Sequence, residues 1–251
     1  MRPPTLVGVV ERRLLLNYRV DPGTVAPMLP APLRPQVVNG WAVGGVCLLR
    51  LGRIRPRGVP ERLGLRSENA AHRFAVEWDT PAGTRCGVYI PRRDTASTVN
   101  VLAGGRVFPG EHHRARFEVR ESRAELRVGF TSVDRTGQVQ VYGRLSDRLT
   151  GSGLFADLAE ASAFFQRGAD GYSATRGGDR LDGMRLRTDH WSVEPLEIIA
   201  ARSSLFDDER LFPTGTALLD SALVMRDVPV TWQALSPMAV DPMRAAPATP
   251  R

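Results

Sequence analysis

From Leu6 to Val20 apolar and polar positions alternate well enough for extended structure, with Leu14, Leu16, Tyr18 and Val20 on one face. Asp21-Pro22 then offers an N-cap and a proline for the first helical position, so a short helix is expected, ending near Leu29-Pro30. Val37 and Val38 lead into Asn39-Gly40, a strong hairpin turn. Trp41 to Arg55 reads as a long, mostly apolar strand in which Gly44-Gly45 marks a bulge or a close backbone approach. Pro56 to Asn69 is rich in turn formers and reads as a connection, or in a functional reading as a lid or rim.

The stretch from Ala71 to Phe117 organises the rest. It predicts a strand over Ala71–Thr80, a turn at Pro81–Gly83, a strand over Thr84–Ile90, a short helix over Thr95–Ala103, and a strand from Glu111. Arg114–Arg120, Ala124–Phe130 and Gln138–Leu145 alternate as strands, the last two joined by a turn at Asp134–Gly137. Ser152 is expected to cap a helix with the stripe Leu154, Leu158, Ala161 and Phe165 and with Gly168 past its end. Met184–Trp191, Leu196–Arg202 and Leu218–Val224 read as further strands, and Leu205–Leu211 as a helical turn. Residues 1–235 thus form one domain, and Ser236 to Arg251 a loose tail. Many strands, few helices and no alternating βαβ rhythm predict a β-rich α+β fold, a curved antiparallel sheet or barrel with a few short helices.

All 34 basic side chains are arginine; the chain has no lysine. No side-chain amine is available for a Schiff base or for a nucleotide-binding P-loop. The formal charge of +7 raises nucleic acid as a partner, but the arginines are spread among acids, and the one denser ribbon, Arg50, Arg53, Arg55 and Arg57, carries no interleaved aromatics. Cys47 and Cys86 sit in apolar strand phases and read as buried and reduced. No apolar run is long enough to span a bilayer, and the first one is too short for a signal peptide, so a cytoplasmic location without membrane contact is expected.

His72 shares its strand phase with Phe74, Val76 and Trp78, so it points inward. It is either a core histidine bonded to backbone or a general base tuned by burial. His112 and His113 face opposite sides. His113 is in phase with Ala115 and Phe117 and is the inward candidate, with Glu111 on the same phase to orient it or act as acid; a surface cluster is the competing reading. Arg92-Arg93-Asp94 precedes a helix with Asp94 as expected N-cap, an arrangement suited to a carboxylate or phosphate, or simply a set of solvated charges. Tyr89, just upstream, joins Arg92 and Arg93 as a ligand-binding candidate. The histidine spacings match no metal motif, and neither a nucleophile elbow nor a dinucleotide fingerprint occurs, so neither metal nor cofactor is predicted.

Tyr18-Arg19-Val20-Asp21, a short helix, and then Leu29-Pro30-Ala31-Pro32-Leu33 resemble the opening of acetoacetate decarboxylase-like proteins. Trp41 to Val46 and Arg53 to Pro60 resemble the YqjF-like proteins of unknown function within that superfamily. The resemblance is good from about Leu14 to Pro60 and passable through Phe117. It implies a curved antiparallel barrel around a central cavity. The decarboxylase carries two adjacent lysines after a Tyr-Pro step; the matching step is Phe108-Pro109, so those positions fall on Gly110 and Glu111. An arginine that meets the substrate carboxylate corresponds to Arg12. Decarboxylation through a Schiff base is therefore rejected. Three readings stay open: a lysine-independent acid/base enzyme using His72 or His113 with Glu111 on an anionic small molecule, a binding or sensing module that kept the pocket, and a nucleic-acid binder using the Arg50–Arg57 ribbon. Self-association into a homo-oligomer is open too.

Overall fold

The computed structural model describes residues 4–240 apart from 104, 106 and 107. Its strands are β1 (Leu6–Val20), β2 (Arg34–Pro35), β3 (Val37–Val38), β4 (Trp41–Pro56), β5 (Leu65–Thr80), β6 (Gly83–Thr95), β7 (His112–Glu121), β8 (Glu125–Ser132), β9 (Gln138–Leu145), β10 (Asp170–Ala174), β11 (Arg180–Arg187), β12 (Glu194–Ser203), β13 (Ala217–Ala234) and β14 (Met238–Ala239). The helices are α1 (Pro22–Val25), α2 (Thr98–Ala103) and α3 (Leu158–Arg167). All the strands belong to one large curved sheet that doubles back where β5, already paired with β4, also pairs with β6. β13 is a second junction, pairing with β1, β11 and β12.

The sheet is mixed, which corrects the all-antiparallel expectation. β6 runs parallel to β7, with Arg93 opposite His112, and parallel to β10, with Gly171 opposite Val88. Parallel neighbours cannot be joined by a hairpin, so the chain must cross back between β6 and β7, and α2 lies in that crossover.

The apolar run of β4 follows from burial on both faces. Leu14, Leu16, Tyr18, Val46, Leu48, Phe74, Val76, Leu126, Val128 and Phe130 fill one core. The alternate positions Leu15, Val43, Cys47, Ala71 and Ala75 form a second core beneath Ala161, Phe164 and Phe165 of α3. Leu6, Val10, Leu51, Phe108, Met225 and Trp232 belong to a third. The first core is packed with rings: Tyr18 stacks on Phe206 at 4.2 Å, and Phe74, Phe206 and Phe212 lie within 6.4 Å of one another. Phe206 and Phe212 come from the connection between β12 and β13 and pack into this first core.

Gly44-Gly45 is a close approach rather than a bulge. A Cβ on Gly45 would stand nearer to the Leu16 carbonyl oxygen than the 3.0 Å that real Cβ contacts respect. Gly45→Ala is expected to cost about 2–4 kcal/mol, because the clash is with backbone that neighbouring strands hold on both sides. A urea midpoint within error of the wild type would contradict this.

Other boundaries moved. The loop expected over Pro56–Asn69 is shorter, since β5 begins at Leu65 and Leu51 pairs with Ser67. α3 is capped by Asp157, whose Oδ1 accepts from the Glu160 N–H at 2.8 Å, while Ser152 donates to Asp220 at 2.6 Å. Asp157 competes better because Glu160, three residues on, reaches back to the Ala156 N–H. Of the expected tail, β14 pairs with the start of β11 and Val240 is buried; residues 241–251 lie outside the described residues. Cys47 is buried as expected, whereas Cys86 is half-buried.

Candidate functional site

β5, β6 and β7 carry polar side chains on both faces at the level of His72. A register shift between His72 and Phe74 inserts an extra residue into β6 near Ile90-Pro91. That bulge places Tyr89 and Arg92, one odd and one even position, on the same inner face, and turns Arg93 to the other side.

On the inner face Arg92 grips Asp94 with two bonds of 2.8 Å and donates to Thr136 at 2.7 Å. Asp94 is fully buried; burial raises its pKa, with Arg92 opposing. It is therefore a strand residue and not the cap of α2, whose first turn is closed by Ser97 accepting from the Asn100 N–H. His113 Nδ1 lies 3.1 Å from Asp134 Oδ2. Despite partial burial, hydrogen bonds from Ser132, Thr136 and His113 hold the Asp134 carboxyl well below the usual range. The expected Glu111–His113 partnership is not formed: Glu111 is exposed and faces Arg176 at 3.6 Å. His72 is 1 % exposed, and neither ring nitrogen has a hydrogen-bond partner among the described residues. Burial, then repulsion from Arg92 and His113, pushes its pKa down to about 3, so the ring is neutral. Tyr89 is buried in the first core across from Phe74.

Arg12 faces the same core farther along β1 and is 1 % exposed. Its guanidinium meets Glu68 at 2.5 Å and Glu121 at 3.4 Å, and Arg50 bonds the same two carboxylates. Two arginines and two glutamates compensate one another, so Arg12 is not free to meet a substrate carboxylate. This also takes Arg50 out of the proposed basic ribbon.

The opposite face of β5 and β6 borders a cavity of about 70 Å³, lined by Arg93, His112, Asn69, Phe108, Leu51 and Trp232 among others. That is room for a few waters or a molecule of a handful of heavy atoms. Arg93 donates from Nε to the Pro109 carbonyl at 2.7 Å. Its two Nη groups have no carboxylate partner among the described residues. Arg93 keeps some accessible surface although protein surrounds it, as expected of a side chain that lines a cavity. Burial lowers its pKa to about 10, which leaves it charged at neutral pH. His112 Nδ1 sits 3.2 Å from the Gly110 carbonyl oxygen. A carbonyl can only accept, so Nδ1 carries the proton and Nε2 the lone pair. Burial and then the Arg93 charge push the imidazole pKa down to about 4.

The loop that presents Pro109 and Gly110 holds the step that the sequence resemblance sets against the decarboxylase lysines. Gly110 has φ +91°, and a Cβ there would lie 2.7 Å from Ser173 Cβ on β10. The position that resemblance assigns to a lysine is thus one that only glycine occupies without strain.

Of the candidates, the structure gathers His72, His113, Arg92 and Tyr89 on the inner face, sets Arg93 alone on the other, and leaves Glu111 outside and Arg12 in its own ion-pair cluster. His112, Asn69, Phe108 and Trp232 were missed. His112 shares its face of β7 with the exposed Arg114 and Arg116, so the alternation of that strand gave no sign of the cavity.

The family model for DUF2071, described as "Uncharacterized conserved protein (COG2071)", matches residues 10–224. No curated protein matches the sequence. Among solved structures, the enduracididine biosynthesis enzyme MppR complexed with pyruvate superposes with a TM-score of 0.58 at 12% identity, covering 96% of this chain and 91% of that one. Acetoacetate decarboxylase from Legionella pneumophila gives 0.56 at 9% identity over 95% and 87% of the two chains. An acetoacetate decarboxylase-like enzyme from Sphingomonas wittichii RW1 gives 0.56 at 12% identity over 96% and 94%. With the family model spanning most of the chain and the fold shared nearly end to end, the chain belongs to the DUF2071 family and has the acetoacetate decarboxylase-like fold.

Proposed function

We propose that this protein binds a small carboxylate-bearing molecule in the Arg93 cavity, and that His112 acts there as a general base. The observation that carries the reading is a half-buried, charged guanidinium whose Nη groups lack a carboxylate beside a neutral imidazole with a free Nε2 lone pair. A partly desolvated charge is favoured by an anion beside it, and a carboxylate fits the guanidinium fork. The volume of about 70 Å³ restricts the ligand to a few carbons. MppR, which shares the fold, has been observed with pyruvate, a keto acid of that size. In such an acid, Nε2 takes a proton from the carbon beside the keto group. The C–H electron pair moves toward the keto oxygen, and the nearby positive charge stabilises the resulting enolate. No amine is needed.

Two measurements test this. Pyruvate should raise the melting temperature of the wild type by mass action, and Arg93→Gln should remove the shift. In D₂O the protein should catalyse exchange of the pyruvate methyl protons, seen by ¹H NMR. His112→Gln should slow that exchange by about 100-fold or more while keeping the thermal shift. The exchange rate should be flat at neutral pH and fall through an apparent pKa of about 4. An unchanged thermal shift in Arg93→Gln sinks the proposal. Wild-type binding without exchange leaves the alternative of a binding or sensing module, which the poor basicity of His112 favours. The nucleic-acid reading has less support, because Arg50 is engaged by Glu68 and Glu121, and Arg53 and Arg55 both face Glu61.

A further inference from the structure

The far side of β13 carries a second site. Where β4, β1, β13 and β11 run side by side, four residues share one cross-strand row: Arg55 lies opposite Val7, Val7 opposite Thr231, and Thr231 opposite Arg187. Residues in such a row project from the same face of the sheet, so two arginines bracket a low saddle of Val7 and Thr231. Three strand spacings set their backbones about 14 Å apart, within reach of one ligand held between two long side chains. Arg57 and His190 stand on its rim. The resulting open cleft of about 650 Å³ is of the size that holds small molecules.

Its charge is one-sided. Four arginines (53, 55, 57 and 187) line the cleft against two acids, Glu61 and Asp189. Glu61 serves both Arg53, at 2.6 Å, and Arg55, at 3.9 Å. Arg57 and Arg187 are exposed and have no carboxylate partner among the described residues. The backbone beneath is also unusual. β4 carries one extra residue between Gly52 and Arg55, and Arg53 in that bulge has φ +56°, a left-handed conformation that side chains disfavour. Strain of this kind persists where surrounding structure enforces it and clusters at binding sites. Among the described residues no Phe, Tyr or Trp lines the cleft, so it lacks the large stacking platform on which single-stranded nucleic acids rest.

We infer that this saddle binds a phosphate-bearing small molecule, its anionic groups held between Arg57 and Arg187 with Arg55 beside them. The site is independent of the Arg93 cavity. Thr231 and Gln233 face the saddle, while Trp232 between them faces the cavity on the other side of the strand.

The test is calorimetric titration of the full-length protein with sodium tripolyphosphate at low salt. Wild type should bind at a single site, more weakly as salt is added. The Arg57→Gln/Arg187→Gln variant should lose about tenfold or more in affinity, because both guanidinium contacts to the anion are gone. Arg93→Gln should bind as wild type does, which keeps this result separate from the cavity proposal. The two replaced side chains are exposed, and an unchanged thermal melt confirms that the variant is folded. Absence of tripolyphosphate binding to wild type, or equal binding by the double variant, overturns the inference. So does binding of a single-stranded oligonucleotide of about 20 residues where tripolyphosphate fails, which would assign the cleft to nucleic acid.

Discussion

Glu68→Gln is expected to destabilise the fold by about 3–5 kcal/mol, the usual cost of removing one partner from a buried ion pair. The reason is the position of Glu68 between two guanidiniums: its carboxylate meets Arg12 at 2.5 Å and Arg50 at 2.6 Å. Without it, two arginines share Glu121 alone, and Arg12 is 1 % exposed with its Nε already unpartnered. Water reaches the partly exposed Arg50, Glu68 and Glu121 but not the Arg12 guanidinium, which loses its nearer carboxylate. Removing the balanced pair instead, in Arg12→Met/Glu68→Leu, leaves Arg50 with Glu121 and should recover most of the loss, because apolar groups of similar volume replace buried charges at little cost. Urea unfolding with an unchanged m-value measures both. A Glu68→Gln loss below about 1 kcal/mol would show that the cluster is effectively solvated.

Mild acid should weaken the protein through its buried histidines. The pKa values of His72 and His112 are lowered from 6.5 to about 3 and about 4. Above pH 6.5 both are neutral in folded and unfolded chains and add no pH dependence. As pH falls below 6.5, the unfolded chain takes up protons that the folded chain refuses, so stability falls. Each histidine removes about 1.4 kcal/mol per pH unit, or roughly 3 kcal/mol by about pH 4.5. Asp94, whose pKa is raised by burial, opposes part of this once the folded chain begins to protonate it, while Asp134, whose pKa is lowered, adds to the loss in the carboxylate range. His72→Leu isolates the largest contribution. It should match or exceed wild-type stability at pH 7.5, since neither ring nitrogen makes a hydrogen bond among the described residues, and should be the more stable protein by about 3 kcal/mol at pH 4.5. An imidazole resonance for His72 that titrates near 6.5 would refute the account.

The inward phase of His72 was legible because β5 alternates regularly up to it. The side taken by Arg92 was not, because the bulge at Ile90-Pro91 breaks the two-residue period just before the arginine pair. Strand phase gives His113 the inner face, and the cavity lies against His112 on the other, because Phe108, and Trp232 from a distant part of the chain, come across that end of the sheet. The misplaced cap of α3 is a smaller case: Ser152 and Asp157 are both plausible caps locally, and contact with Asp220 on the distant strand β13 draws Ser152 away.

What the chain determined by itself were the local matters and the exclusions: most strand phases, the Asp21-Pro22 helix start, and the lack of any lysine, which leaves no side-chain amine for a Schiff base whatever the fold. Only the tertiary structure decided which charges are free. Arg12, Arg92 and Arg93 are chemically the same side chain, but Glu68 is 56 residues from Arg12 in sequence, and the bulge before Arg92 decides which face the Arg92–Asp94 pair takes and which face is left to Arg93. The charge state and availability of a side chain depend on neighbours brought together by long-range strand pairing, and local sequence patterns do not encode those pairings.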